Sequence, residues 1–391
     1  MNLNLLLSLI LSVFIINSCS AEPGETKVIC GAERTDLYLP LLNNARVGIV
    51  ANHTSVLGGR HLVDTLLAMD VNLLRIFSPE HGFRGDAAAG EYVDNTIDSS
   101  TGLPVVSLYG SRRKPLPEDM EGLDVIIFDI QDVGARFYTY ISTLQYVMER
   151  AAEEGVKLMV LDRPNPNGHY VDGPVLDTGF TSFVGMQPVP VVYGMTVGEY
   201  SMMINSEGWL DGGVKCDLMV VECINYTHNT EYILPVAPSP NLPNQNAVYL
   251  YPSLCFFEGT VFSCGRGTGF PFQIYGHPDY PVSEFTFTPL PSGGAPEPRL
   301  ESEQCFGVDL SDAIEKGIVP GAKLNLEWLI DAYNKFPEKD EFFNSYFNTI
   351  AGNNKLKQKI IDGMSAEEIS QSWQKDLDSF KQIRSKYLIY R

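Results

Sequence analysis

Short apolar runs separated by segments of helical spacing dominate the first half of the chain. Val47–Val50, Leu73–Phe77, Val105–Tyr109, Val125–Phe128 and Leu158–Leu161 are mostly apolar at consecutive positions. Runs of that length without strict polar alternation predict strands buried on both faces, as in a parallel sheet. Between them, Leu62, Leu66 and Leu67 share a helical face. Ile141, Leu144, Val147, Met148 and Ala151 form a second face, with Gly155 placed to end that helix. Strand–helix alternation predicts a doubly wound α/β domain with its function at the carboxyl ends of the strands.

The pattern then changes. Pro235, Pro238, Pro240, Pro243 and Pro252, with Asn241 and Asn244, predict a rigid extended connection over residues 235–253 and a domain border near residue 250. Residues 288–298 form a second Pro/Gly-rich loop. Asn325 is placed to cap a helix carrying Leu326, Leu329, Ile330 and Tyr333. Ser365 and Glu368 form a capping box ahead of Ile369, Trp373, Leu377, Phe380 and Ile383. Both stripes are read as core packing.

The N-terminus adds a location. Leu5–Ile16 is apolar except for Ser8 and Ser12, too short to span a bilayer comfortably. With Asn17, Ser18 and Cys19 it reads as an export signal. Residues 1–22 are assigned to a leader resembling a bacterial lipobox, with Cys19 as the lipid-anchor site, although no Lys or Arg precedes the run. The expected location is the periplasm or the outer membrane. Six further cysteines, Cys30, Cys216, Cys223, Cys255, Cys264 and Cys305, show no CxxC spacing. Their pairing is not legible, and buried free thiols are the plain alternative.

Charge removes one class of partner. With 28 Lys and Arg against 48 Asp and Glu, the net charge of −20 disfavours any nucleic-acid backbone. No G-x-G-x-x-G follows a predicted strand, and no P-loop, H-E-x-x-H or G-x-S-x-G is present. Neither a dinucleotide cofactor nor a metal ligand set is evident.

Polar clusters mark the predicted strand ends. Glu80, His81, Gly82, Phe83, Arg84, Gly85 and Asp86 follow the second strand, with Glu91 and Asp94 close behind. Asp129, Gln131, Asp132, Arg136, Tyr138 and Tyr140 follow the fourth, and Asp162, Arg163, Asn165 and Asn167 the fifth. Pro79 should stop its strand, because it has no N–H to donate. A carboxylate beside a His is suited to proton transfer, and a guanidinium to binding an anion. The alternative is a set of internally satisfied ion pairs, such as Asp129 with Arg136 or Glu258 with Arg266.

Six segments together resemble a known family. They are Glu80-His81-Gly82 with Arg84-Gly85, Asp162 to Pro166, Ser239 to Pro243, Tyr251 to Leu254, Phe257 to Thr260, and Gly265 to Thr268. They look like the exo-β-N-acetylmuramidases of peptidoglycan turnover, the NamZ type, from about Val47 to the end. The resemblance implies a Rossmann-like catalytic domain (residues 23–250), a smaller C-terminal α/β domain (residues 251–391) and a site between them. It implies release of N-acetylmuramic acid from the non-reducing ends of peptidoglycan-derived glycans.

On that reading Glu80 is the acid/base, and Glu91, Asp129 and Glu258 remain open as its partner. Arg84, Arg163 and Arg266 are candidates for the lactyl carboxylate of the sugar. His81, Gln131, Asn165 and Asn241 are further binding candidates. Substrate-assisted catalysis by the acetamido group stays open. The rival classes are a non-catalytic sugar- or peptidoglycan-binding lipoprotein and a metal-dependent hydrolase.

Overall fold

The computed structural model describes residues 27–84 and 95–391. The apolar leader, Cys19, Glu91 and Asp94 lie outside them. In chain order the strands are β1 (Val47–Ala51), β2 (Val56–Leu57), β3 (Arg60–His61), β4 (Leu73–Ser78), β5 (Thr96–Ile97), β6 (Pro104–Ser107), β7 (Val125–Asp129), β8 (Lys157–Leu161), β9 (Leu218–Val221), β10 (Ile274–His277), β11 (Thr286–Phe287) and β12 (Cys305–Asp309). Seven of them form one sheet in the order β5-β6-β4-β1-β7-β8-β9. All its pairings are parallel except the short β5 against β6. The five strands expected from apolar runs are β1, β4, β6, β7 and β8.

The sheet is buried on both faces, as the sequence pattern demands. Val47, Ile49 and Ala51 of β1 point to one core with Val125, Ile127, Met159 and Leu161. The helix Leu62–Ala68 covers that face. Val50, Ile126, Phe128, Leu158 and Val160 point to the other, beneath the helices Tyr140–Glu154 and Val197–Ser206. The second core continues without a break into the C-terminal half, through Leu254, Phe256, Phe347, Leu377 and Phe380. That half carries the antiparallel sheet β10-β12-β11 and a run of helices.

Local signals set several ends. β4 stops at Ser78, ahead of Pro79. Gly155 ends its helix in the left-handed conformation, and Ser365 and Glu368 form the expected capping box. Asn325 accepts from the N–H of Glu327 at 2.9 Å. The extended connection expected over 235–253 holds only in part: Gln245–Leu254 is a helix that contains Pro252 and the expected border at residue 250. Asn244 caps it through the Ala247 N–H. Pro252 cannot donate to the carbonyl four residues back, Val248, and that carbonyl accepts instead from Asn167 Nδ2 at 3.2 Å.

Candidate active site

Strand order reverses beside β1, where β4 and β7 flank it and the chain turns opposite ways. Doubly wound sheets open a crevice at such a point, beyond the carboxyl ends of the strands. Here it is a cavity of about 430 Å³. Glu80 and His81 enter it from the end of β4, Tyr109 from the end of β6, and Tyr138 and Thr139 from the segment after β7. Ser239 and Asn241 come from the Pro-rich loop, and Glu258, Arg266, Phe272, Tyr346 and Thr349 from the C-terminal half. Both halves of the chain therefore build its wall.

Glu80 is half-buried. Its Oε2 accepts from Thr139 Oγ1 at 2.7 Å, and Thr139 is fixed as the residue entering the helix Tyr140–Glu154. Burial pushes the Tyr109 phenol up, and the charge and hydrogen bond of Glu80 add to it. The phenol thus stays protonated beside the carboxyl. His81 is buried with φ of +70°, a conformation that costs a non-glycine residue about 1–3 kcal/mol. Such strain gathers where a side chain must be aimed.

In the same cavity, Arg266 Nη2 meets Glu258 Oε1 at 2.7 Å. Gly265 and Gly267 flank this arginine with φ of +82° and +80°. A Cβ on either would lie 2.5 Å or 2.6 Å from a backbone carbonyl, so only glycine fits on both sides. The guanidinium also stands 5.2 Å from the ring centre of Phe272, another left-handed residue at φ +53°. The Tyr346 phenol is pushed up by burial and then by the charges of Cys255, Glu258 and Glu80. The two glutamates therefore act on one hydroxyl.

Several sequence candidates lie elsewhere. Asp129 and Arg163 do not line the cavity: they form a buried fork with each other, at 2.6 and 2.9 Å. Arg136, the expected partner of Asp129, donates instead to the carbonyls of Pro174, Val189, Ile350 and Ala351. Gln131 is buried and donates to the Asp132 and Pro164 carbonyls, and Asn165 donates to Met195. These five residues are engaged in internal hydrogen bonds and do not line the cavity. Arg84 is held by Asp98 at 2.9 Å and Asp64 at 3.7 Å, outside the cavity. Glu91 lies outside the described residues. Glu80, His81, Asn241, Glu258 and Arg266 are the candidates that the fold brings together.

Other wall residues were missed. Tyr109 looked like the end of a strand, yet β6 stops at Ser107 and frees it to face the cavity. Arg113 sits in Ser111-Arg112-Arg113-Lys114, a basic run that reads as solvated surface. It stacks 4.3 Å over the Phe183 ring at the cavity rim and forms no ion pair among the described residues. Tyr346 and Thr349 lie far along the chain with no motif around them. Among the described residues, no three His, Cys, Asp or Glu side chains gather as metal ligands.

A parallel sheet with a carboxyl-bearing cavity at its switch point, completed by a second lobe, defines a two-part α/β protein built around a small polar ligand. Comparison makes the class specific. Residues 47–246 match the N-terminal part, and residues 249–390 the C-terminal part, of the exo-β-N-acetylmuramidase NamZ family. The chain belongs to that family. It is 39% identical, over 90% of its length and 89% of the relative's, to the peptidoglycan β-N-acetylmuramidase NamZ of Bacillus subtilis strain 168. Two crystal structures of DUF1343-family proteins from Bacteroides fragilis share the fold. One has a TM-score of 0.87 at 47% identity, covering 94% of this chain and 99% of that one. The other has 0.79 at 29%, covering 93% and 99%.

Proposed function

We propose that this chain is an exo-acting glycosidase that releases N-acetylmuramic acid from the non-reducing end of peptidoglycan-derived glycans. The observation that carries the chemical assignment is Glu80, half-buried in the switch-point cavity and held by the Thr139 hydroxyl. Glu80 donates a proton to the glycosidic oxygen as the bond to the anomeric carbon breaks. Water adds at that carbon and returns a proton. Thr139 and Tyr109 fix the carboxyl while the charge changes. Glu258, bound to Arg266, lines the same cavity and offers a carboxylate for the positive charge that develops on the sugar ring.

The lactyl ether of the sugar carries a carboxylate. Arg113 and Arg266 are the guanidinium groups on the cavity wall that suit it. Leu5–Ile16 ahead of Cys19 supports an exported, lipid-anchored protein acting on wall fragments outside the cytoplasm.

Glu80→Gln tests the assignment. It keeps the shape and the Thr139 contact but has no proton to give. Turnover of an unactivated glycan is expected to fall about 10²–10⁴-fold with little change in thermal stability. Near-normal turnover would remove Glu80 from the reaction.

A further inference from the structure

Ile29 and Ile224 exchange two backbone hydrogen bonds, at 3.0 and 2.9 Å, as an antiparallel bridge at the edge of the main sheet. One step along that register places Cys30 opposite Cys223. The two exchange no backbone hydrogen bond with each other, since the Cys30 N–H donates to Glu33 and the Cys223 N–H to Tyr390; at such non-bonded positions of a ladder facing Cα atoms approach about 4.5 Å and side chains share a face. Disulfides span Cα atoms about 4.4–6.8 Å apart. Gly31 keeps the segment seated: a Cβ there would lie 2.3 Å from the Val221 carbonyl and 2.6 Å from the Asp162 nitrogen.

We propose that Cys30 and Cys223 are a redox pair that closes to a disulfide, stapling the N-terminal segment to the chain just beyond β9. Cys30 Sγ lies 3.5 Å from the Tyr232 hydroxyl, and Cys223 Sγ donates to the Asp162 carbonyl at 3.3 Å. The neighbouring Cys223 thiol, aided by the Arg163 charge and opposed by burial, draws Cys30 below the usual thiol range, while Cys30 and burial push Cys223 up. Cys30 is therefore the nucleophile. It lies on the wall of a second cavity, of about 800 Å³, shared with Tyr232 and Arg163. The other thiols are engaged differently: Cys255 contacts Glu258, and Cys305 the Glu303 carbonyl.

The oxidant is an external disulfide, either glutathione disulfide or a thiol oxidoreductase. The Cys30 thiolate attacks one of its sulfurs, forming a mixed disulfide and expelling one thiolate. Cys223 then loses its proton and attacks Cys30 Sγ, expelling the second. Two protein thiols are oxidised, one external disulfide is reduced to two thiols, and the two protons end on those thiols.

This closure goes beyond the glycosidase reading and is tested without it. The full chain is incubated with glutathione disulfide, alkylated with iodoacetamide in denaturant, and digested without reduction. Mass spectrometry is expected to recover the Cys30 and Cys223 peptides as one cross-linked pair, with Cys216, Cys255, Cys264 and Cys305 alkylated. Reduction should lower Tm by about 4–8 °C in the wild type, and leave Cys30→Ala/Cys223→Ala unmoved. Recovery of Cys30 and Cys223 as separate alkylated or glutathionylated peptides would overturn the proposal, whatever the variants do.

Discussion

Arginines that look alike in the sequence have opposite fates in the fold. Arg163 follows a buried strand and is the fork partner of Asp129, while Arg113 lies in an exposed basic run yet borders the cavity. Removing one member of a buried pair costs about 3–5 kcal/mol, so Arg163→Ala should fold poorly and say little about specificity. Arg113→Ala should leave stability within about 0.5 kcal/mol. If Arg113 receives the lactyl carboxylate, it should shrink the preference for N-acetylmuramyl over N-acetylglucosaminyl substrates with one leaving group by roughly 10- to 150-fold. Matched kcat/KM measurements decide it, and unchanged discrimination would move the role to Arg266. The sequence made Glu80 and Glu258 visible because each sits in a compact motif. It could not show which carboxylate each arginine meets, since Asp129 and Arg163 are 34 positions apart.

At the scale of elements, the strand ends are tied down by buried carboxyl groups. Asp132, after β7, accepts from the Gly134 N–H at 2.7 Å and from the Tyr193 hydroxyl. Asp162, after β8, accepts from Thr196 and Tyr390 hydroxyls at 2.6 and 2.7 Å. Burial pushes both up to about 6, although the hydrogen bonds oppose it. An unfolded Asp titrates near 3.9. Between about pH 4 and pH 6 the folded chain keeps protons that the unfolded chain has released. The contribution of each group to stability therefore falls as pH rises through that window, and levels off above it. Asp132→Asn should remove one such slope. Urea unfolding of wild type and variant from about pH 4 to pH 7 tests it, and parallel curves would refute it. Elements with local signals were legible: the stop at Pro79, the Gly155 cap and the Ser365–Glu368 box. The helix containing Pro252 was not, because its freed carbonyl is satisfied by Asn167, 81 positions away. Nor was β9, a four-residue edge strand with three half-buried residues before the buried Val221 and little to separate it from a loop.

At the scale of the whole molecule, the two halves share one core and Arg136 bolts them together. Its guanidinium is fully buried and reaches the Ile350 and Ala351 carbonyls at the end of the helix Phe347–Ala351. That helix bears Thr349, and Tyr346 precedes it, so the bolt also sets one wall of the cavity. Lysine keeps the charge but cannot serve four carbonyls, and each buried acceptor left alone costs about 1–3 kcal/mol. Arg136→Lys is expected to lose about 3 kcal/mol or more in urea unfolding and to raise KM more than it lowers kcat. A fall in kcat alone would mean that the wall does not depend on the bolt. The general architecture was readable from apolar runs. The union of the halves was not, because it rests on an arginine whose partners are all backbone atoms.

The proposed reaction is removal of the terminal sugar at a cavity built around Glu80. Its most direct measurement is time-resolved mass spectrometry of a short glycan with N-acetylmuramic acid at its non-reducing end, digested by wild type and by Glu80→Gln. Free N-acetylmuramic acid and a chain one sugar shorter are expected from the first time points, with the variant nearly silent. Early internal fragments without the monosaccharide, or no cleavage of any muramyl glycan, would contradict it.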